Sequence, residues 1–225
     1  MKVIIFGATG MVGQGVLREC LQAADVECVL CVGRSASGSQ HAKMADLVHP
    51  DLFDYSAVEA QLAGFDACFF CIGVSVVGLD EAQYARLNHD MPLAAAATLS
   101  RLNPGMRFVY ISAAGADSSE RGAIMWARVR GRTENDLLRL PFASVTLFRP
   151  GAIQPLRGIR SRTAAYRLLY TLTRPLLPIM RALFPLRISS TEELGRAMLE
   201  AARHGTARPI VEAREIAALA RGEVH

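Results

Sequence analysis

Three glycines join an apolar run to a helical period at the start of the chain. The run KVIIF at 2–6 leads into GATGMVG, and helical spacing follows over 11–23. Glycine adopts positive φ and lets other backbone approach closely. The order of these segments therefore predicts a strand, a tight turn at Gly7 and a helix that packs closely on the strand at Gly13.

A turn of this kind holds the pyrophosphate of a dinucleotide. The first N–H groups of a helix lack internal partners and carry a partial positive charge, so they attract phosphate. Gly10 would let the backbone approach that phosphate. A glycine trio alone is a weak signal, and a tight turn without a ligand is the alternative. The position directly after the first strand favours dinucleotide binding.

The residue at the end of the second strand normally determines whether NAD or NADP is bound. An acidic residue there would accept a hydrogen bond from the ribose 2′-hydroxyl of NAD, whereas an arginine accommodates the 2′-phosphate of NADP. The sequence is VGRSAS, with Arg34 and Ser35 and no acid. A guanidinium beside a hydroxyl suits a phosphate. NADP is therefore favoured over NAD; the alternative is that Arg34 is a solvated loop residue.

Strand-like and helix-like segments alternate along the first two thirds of the chain. Apolar runs lie at 2–6, 26–32, 45–49, 66–72, 106–112 and 143–148, with helical periods at 11–23, 54–63, 80–101 and about 121–139. Continuous apolar runs are typical of parallel strands covered on both faces. The pattern predicts an α/β fold with a doubly wound (Rossmann), mostly parallel sheet. The link GRSASGSQHAK is too short for a crossover helix and predicts a loop or a single turn.

One domain accounts for residues 1–225. The prediction divides it into a dinucleotide-binding core at 1–150, a small substrate-side lid at 151–190 and a C-terminal helix, strand and helix at 191–225. Ser189, Ser190 or Thr191 would cap the first of these helices. No signal peptide or membrane span is recognised, so a cytoplasmic location is expected. The net charge of +4 is too small to imply nucleic acid.

Two Cys-x-x-Cys pairs lie inside apolar runs, Cys28 with Cys31 and Cys68 with Cys71. Such pairs suggest zinc or a redox dithiol. Positions i and i+3 of a strand point to opposite faces of a sheet, so neither pair can chelate one ion. The prediction is core packing. The histidines also lack partners at ligand spacing, and no metal site is predicted.

Five motifs occur in a specific order: GATGMVG, GRS, CIGVS, ISAAGAD and RPGAI. Together they resemble the atypical, extended short-chain dehydrogenase/reductases over residues 2–204. The resemblance implies a bound NAD(P), with pyrophosphate at the glycine turn, adenosine by the ends of strands two and three, and nicotinamide near RPGAI. In chain order the residues so implied are Gly7, Thr9, Gly10, Met11, Val12, Gly13, Arg34, Ser35, Asp51, Leu52, Cys71, Ile72, Gly73, Arg130, Pro150, Gly151, Ala152 and Ile153.

The catalytic pair of that family is altered in this chain. The family has Tyr-x-x-x-Lys on the helix after strand five, where the lysine lowers the tyrosine pKa and the phenol transfers a proton. The matching positions are Trp126 and Arg130. Tryptophan donates a hydrogen bond but does not titrate, and arginine stays charged. Ser112 remains at the end of the strand.

Three interpretations of the segment MWARVRGRTEN stay open. It is an ordinary surface helix, with Glu134 paired to Arg130 at i, i+4. Alternatively, the protein is a reductase acting on a small carbonyl or alcohol, with a proton supplied by Tyr84, Ser112 or water. In the third interpretation it binds NADP(H) without turnover and has a regulatory or scaffold role.

The segment 157–187 carries seven arginines and no acid among leucines and aromatic residues. Its leucines would pack on the sheet or on a partner subunit in a homodimer, with the arginines reaching water. It could instead form a lid over an unidentified small-molecule substrate, or contact an anionic membrane surface. Prolines at 175, 178 and 185 would interrupt any single long helix there.

Overall fold

The computed structural model describes residues 1–156 and 188–223, and its main sheet has seven parallel strands in the order β3-β2-β1-β4-β5-β6-β9. The predicted α/β doubly wound sheet is confirmed. The strands of this sheet are β1 (Lys2–Phe6), β2 (Cys28–Gly33), β3 (Met44–Val48), β4 (Ala67–Phe70), β5 (Arg107–Ile111), β6 (Ser144–Arg149) and β9 (Ile210–Glu212). A second, two-stranded sheet pairs β7 (Ala152–Gln154) with β8 (Ile188–Ser190).

The described helices lie between most of the strands. They are α1 (Met11–Gln22), α2 (Glu59–Leu62), α3 (Glu81–Ala85), α4 (Met91–Leu102), α5 (Met125–Leu138), α6 (Thr191–His204) and α7 (Ala213–Leu219). The helix predicted at 80–101 is interrupted by a π-helical turn at Arg86–Asp90. The one predicted at 54–63 shrinks to α2 and a preceding 3₁₀ turn. As predicted, no helix lies between β2 and β3.

The helix predicted to begin near residue 121 begins at Met125. The Asp117 carboxylate accepts hydrogen bonds from the backbone N–H groups of Ser119 and Gly122. These bonds hold the chain in a turn, which competes with helical hydrogen bonding. The short-range polar interactions therefore delay the start of α5 by a turn.

Apolar side chains cover both faces of the sheet. One face packs against α1, α6 and α7, and the other carries an aromatic cluster in which Phe6 and Phe70 stack at 5.3 Å between ring centroids. Cys68 belongs to the second face, whereas Cys71 packs against the first. The prediction that a Cys-x-x-Cys pair splits across the sheet is confirmed for these two residues. Burial raises the pKa of the Cys68 thiol.

Helix α6 lies closely against α1. A Cβ placed on Gly15 of α1 would fall 2.5 Å from the Thr191 carbonyl oxygen, so only glycine permits this approach. Ser190 caps α6: its side chain accepts from the backbone N–H of Glu193, whose carboxylate accepts from the Ser190 backbone in return. Ser190 is therefore the cap among the three predicted candidates, and it fixes α6 behind the glycine turn.

The arginine-rich segment 157–187 lies outside the described residues, and so do the lid and membrane interpretations that rest on it. The short strands β7 and β8 stand on either side of it in the sequence. Within 1–156 and 188–223, the structure contains no helix long and apolar enough to cross a bilayer.

Candidate coenzyme-binding site

The turn between β1 and α1 is built from bare backbone. Gly7 has φ of +80°, and its carbonyl oxygen accepts from the Gly10 N–H at 2.9 Å. A Cβ on Gly13 would fall 2.1 Å from that same oxygen, so the helix can approach only with glycine there. Gly10 is the N-cap residue of α1, and no side chain caps the helix. The first N–H groups of α1 therefore remain available to a ligand.

A cleft of about 870 Å³ opens at the carboxyl ends of β1, β2 and β4, directly above this turn. This is the edge where open α/β sheets bind their ligands. The cleft brings together most of the residues implied for a coenzyme. Those that line it are Gly7, Thr9, Gly10, Met11, Val12, Arg34, Ser35, Leu52, Cys71, Ile72, Gly73 and Arg130.

Other implied residues do not line the cleft. Gly13 lies behind the turn, and the Asp51 carboxylate accepts from the Phe53 N–H at 2.8 Å. The Pro150 carbonyl accepts from the Ala114 N–H at 3.0 Å. The residues implied for the site but outside its described lining are Gly13, Asp51, Ser112, Trp126, Pro150, Gly151, Ala152 and Ile153.

At the β2 end of the cleft, Arg34 is exposed and has no hydrogen bond or ion pair with any described residue. Its guanidinium is therefore free to meet an anion. The same end holds a carboxylate that the sequence did not suggest, Asp46 on β3. Asp46 accepts from the backbone N–H and the hydroxyl of Ser37, both at 3.1 Å. Only the strand pairing, which sets Asp46 opposite Cys31, reveals this position.

At the β5 end of the cleft, Arg130 is 7% exposed and almost fully hydrogen-bonded. Its Nη1 donates to the Tyr110 hydroxyl at 2.8 Å and to the Ile111 carbonyl at 3.2 Å. Its Nε donates to the Tyr84 hydroxyl at 3.2 Å, and its Nη2 donates to Asn88 Oδ1 at 3.0 Å. Arg130 is therefore a fixed part of the cleft wall rather than a solvated surface residue.

The expected pairing of Glu134 with Arg130 is wrong. Glu134 is 1% exposed and accepts from Arg149 on β6, with 3.0 Å between Arg149 Nε and Glu134 Oε1. Arg149 also donates to Ser118 Oγ at 2.6 Å and to Glu212 at 3.3 Å. Both partners are largely desolvated, and a buried carboxylate needs such a partner. The competing long-range pair takes Glu134 away from its helical neighbour.

Two buried phenols stand behind Arg130 and not in the cleft. Tyr84 and Tyr110 are 3% and 0% exposed, and neither lines the cleft. Burial raises the pKa of Tyr110, because the ionised phenol would lose its hydration. Asn88 joins this network to the loop after β4 by accepting from the Val74 N–H at 3.1 Å. Tyr84, one predicted proton source, thus faces Arg130 instead of a substrate.

The cleft offers little acid–base chemistry. The titratable side chains of its described lining are those of Cys31, Arg34, Asp46, Cys71 and Arg130. Burial raises the pKa of Cys31 to about 12, and burial likewise raises that of Cys71. Both thiols stay protonated and unreactive near neutral pH. Within the described residues, no group of three or more His, Cys, Asp or Glu side chains could hold a metal ion.

Ser112 and Trp126 lie close to the β5 end without lining the cleft. The Ser112 hydroxyl is buried and has no hydrogen-bond partner, although its backbone N–H donates to Phe148 O at 2.8 Å. Trp126 is half-buried, and a Cβ on Gly115 would fall 3.5 Å from its ring. The Ser112 hydroxyl is therefore a buried polar group with bonding capacity left.

The chain belongs to the atypical short-chain dehydrogenase/reductase family. A family model described as NAD(P)H-binding matches residues 7–152, which is more than half of the chain. The predicted family resemblance is thereby confirmed, and the matched region contains all the described residues that line the cleft.

Curated relatives match part of the chain at low identity. The protein FMP52, mitochondrial, of Eremothecium gossypii is 28% identical over 156 residues, covering 68% of this chain and 66% of the relative. HTATIP2 of Rattus norvegicus is 25% identical, covering 68% and 62%. Leucinostatins biosynthesis cluster protein T of Purpureocillium lilacinum is 27% identical, covering 62% and 52%. The matched region thus spans between half and two thirds of these relatives.

Solved structures share the fold over nearly the whole chain. Pal from Bacillus thuringiensis superposes with a TM-score of 0.70 at 14% identity, covering 100% of this chain and 84% of its own. A short-chain dehydrogenase/reductase family oxidoreductase from Burkholderia thailandensis gives 0.66 at 15% identity, covering 96% and 92%. WbmH from Bordetella bronchiseptica, solved in complex with NAD+, gives 0.65 at 17% identity, covering 94% and 74%.

Proposed function

We propose that this protein binds NADP(H) in preference to NAD(H) and acts as a coenzyme-responsive regulatory or scaffold protein in the cytoplasm. The observation that carries the proposal is the composition of the cleft wall. Bare glycine backbone lies at its centre, an unpaired arginine at its β2 end and a buried arginine at its β5 end. This arrangement provides backbone N–H groups and positive charges that can bind an anionic dinucleotide, but no evident group for proton transfer among the described lining residues.

The residues present fit the coenzyme. A Cβ on Gly10 would fall 3.2 Å from Gly7 O and occupy the mouth of the turn, where the pyrophosphate needs room. The first N–H groups of α1 would hold the pyrophosphate. Arg34 and Ser35 would hold the 2′-phosphate, and Arg130 would face the nicotinamide half. When bound, the coenzyme supplies the capacity to donate or accept hydride.

The regulatory role is favoured because the described cleft lining contains no group that exchanges a proton near neutral pH in the right place. Trp126 does not titrate, and both cleft thiols have raised pKa values. The Tyr84 hydroxyl is engaged with Arg130 away from the lining. These three facts support a protein that binds the coenzyme without efficient turnover.

A second candidate function is reduction of a small carbonyl, or oxidation of the corresponding alcohol. The buried and unpartnered Ser112 hydroxyl supports it, because an unsatisfied buried hydroxyl costs free energy that a bound carbonyl oxygen would recover. The proton that the carbonyl oxygen needs after hydride addition would then come from water.

Calorimetric titration with NADPH and NADH, followed by a panel of aldehydes and ketones, tests both functions. We expect binding of NADPH tighter than that of NADH, and little carbonyl-dependent oxidation of NADPH. Absence of binding by either coenzyme would refute the proposal. Rapid turnover on one carbonyl class would replace the regulatory role with the reductase.

A further inference from the structure

The guanidinium of Arg130 is a buried positive charge without a described carboxylate partner. Its four hydrogen bonds end on two phenols, one amide oxygen and one backbone carbonyl, all of them neutral groups. The carboxylate one helical turn away, Glu134, is neutralised by Arg149. Arginine does not lose its proton in proteins. The charge at this end of the cleft is therefore permanent and uncompensated.

The order of the strands fixes which half of the coenzyme meets this charge. The glycine turn follows β1 and holds the pyrophosphate at the centre of the cleft. Arg34 follows β2 on one side, and Arg130 lines the cleft beside Gly73 and Ile111 on the β4–β5 side. With the adenosine 2′-phosphate at Arg34, the nicotinamide half extends toward Arg130. This step rests on the proposed coenzyme binding.

We propose that Arg130 makes the cleft select the reduced form of the coenzyme over the oxidised form. The oxidised nicotinamide ring carries a positive charge, and the reduced ring is neutral. The attraction of the phosphates is common to both forms and cancels in the comparison. What remains is the repulsion between the oxidised ring and a fixed cation in a partly desolvated site, which weakens with distance and dielectric constant.

The loss of the family's tyrosine strengthens this selection. In the Tyr-x-x-x-Lys arrangement, a tyrosine of lowered pKa can ionise and offset the charge of the lysine. Trp126 has no ionisable group, and burial raises the pKa of Tyr110 rather than lowering it. Neither side chain therefore offsets the charge of Arg130 near neutral pH, and the Glu134 carboxylate on α5 is engaged by Arg149.

A protein with this selectivity would be occupied according to the ratio of reduced to oxidised coenzyme and not to their total. Hydride exchange is not required for such a response. The inference therefore defines the signal to which the proposed regulatory function would respond.

The test is a calorimetric comparison of NADPH with NADP+, and of NADH with NAD+, on the full chain. We expect the reduced form to bind roughly tenfold tighter in each pair, the order of magnitude of a charge–charge repulsion across several ångströms. Equal affinities would overturn the inference while leaving coenzyme binding intact. Failure of all four to bind would instead refute the proposed function on which the inference rests.

Variants then assign the selectivity to Arg130. Arg130→Gln should bring the ratio of affinities toward one, and Arg130→Lys should retain it. The matched control is Arg128→Gln, because Arg128 lies on the same helix but pairs with Glu81 away from the cleft, at 2.8 Å. A ratio unchanged in Arg130→Gln would overturn the assignment.

Removing Arg130 takes a donor from each of two buried phenols and leaves Tyr110 only its bond to the Asn88 carbonyl at 3.4 Å, so Arg130→Gln can fail to fold. Ser75→Asp provides a test that leaves the network intact, because Ser75 lines the cleft on the loop that also carries Gly73. Its added carboxylate should shift the ratio of the two affinities in favour of the oxidised coenzyme. A shift in the opposite direction, or none, would overturn the inference.

Discussion

Glu134 on α5 and Arg149 on β6 form an ion pair inside the protein, with Arg149 Nε donating to Glu134 Oε1 at 3.0 Å. The pair ties the helix that carries Arg130 to the edge of the sheet. Arg149 continues the connection to β9 through Glu212. The β5 end of the cleft thus depends on a contact between residues that lie outside it.

Glu134→Ala should destabilise the protein by about 3 kcal/mol, because it leaves Arg149 charged and largely buried. Glu81→Ala is the matched control: it removes a carboxylate from an exposed pair with Arg128 and should cost less than about 1 kcal/mol. Urea unfolding followed by circular dichroism measures both. Equal losses would mean that the buried pair contributes no more than a surface one.

Gly10→Ala should lower the affinity for NADPH by at least about tenfold while leaving the fold intact, because one methyl group blocks the approach of the pyrophosphate to backbone N–H groups. The added Cβ meets only Gly7 O, at 3.2 Å. Gly105→Ala is the control, since a Cβ there meets nothing within 4 Å. Thermal unfolding separates a local block from a general loss of structure. Unchanged affinity in a folded Gly10→Ala protein would place the phosphates elsewhere.

The choice between NADP and NAD should depend on two opposing charges at the β2 end of the cleft. Arg34→Ala should lower the affinity for NADPH by about tenfold, because a charge-assisted hydrogen bond to the 2′-phosphate is lost. The affinity for NADH should barely change. Asp46→Asn should raise the affinity for NADPH, because it removes a like charge near that phosphate. The amide oxygen of the new side chain can still accept a hydrogen bond from Ser37. Competition binding of the two coenzymes gives both ratios. If the ratio of the affinities for NADPH and NADH were the same in the wild type and in both variants, neither charge would determine which coenzyme is preferred.

The fold was predictable because its signals are local. Apolar runs flanked by turns, the glycines at 7, 10 and 13 and the cap at Ser190 each act within one or two turns of chain. The cleft residues on the glycine turn follow from the same pattern. Their position at the carboxyl edge of the sheet is a consequence of parallel strand order.

The chemistry around Arg130 was not predictable from local spacing. The i, i+4 rule paired Arg130 with Glu134, yet each has its strongest partner on another element, Tyr110 on β5 and Arg149 on β6. Asp46 was missed for the same reason, since it enters the cleft through strand pairing with β2. Desolvation decides these partnerships, and it depends on packing that a single sequence does not display.

The double variant Trp126→Tyr and Arg130→Lys tests whether a missing acid limits catalysis. A tyrosine one turn before a lysine would recreate the family's pair on α5, with a phenol whose pKa of about 10 is lowered by the ammonium. Positioned general acids contribute about 10²–10⁴-fold to rate. We therefore expect carbonyl-dependent oxidation of NADPH to rise at least about tenfold above the wild type.

Trp126→Phe with Arg130→Lys is the control for that gain, because it differs only by the phenolic hydroxyl. Adding Ser112→Ala to the tyrosine variant should remove the gain if the Ser112 hydroxyl binds the carbonyl oxygen. The half-buried position of Trp126 beside Gly115 leaves room for the smaller ring. A folded, coenzyme-binding tyrosine variant without increased turnover would show that residue 126 does not occupy the family's acid position.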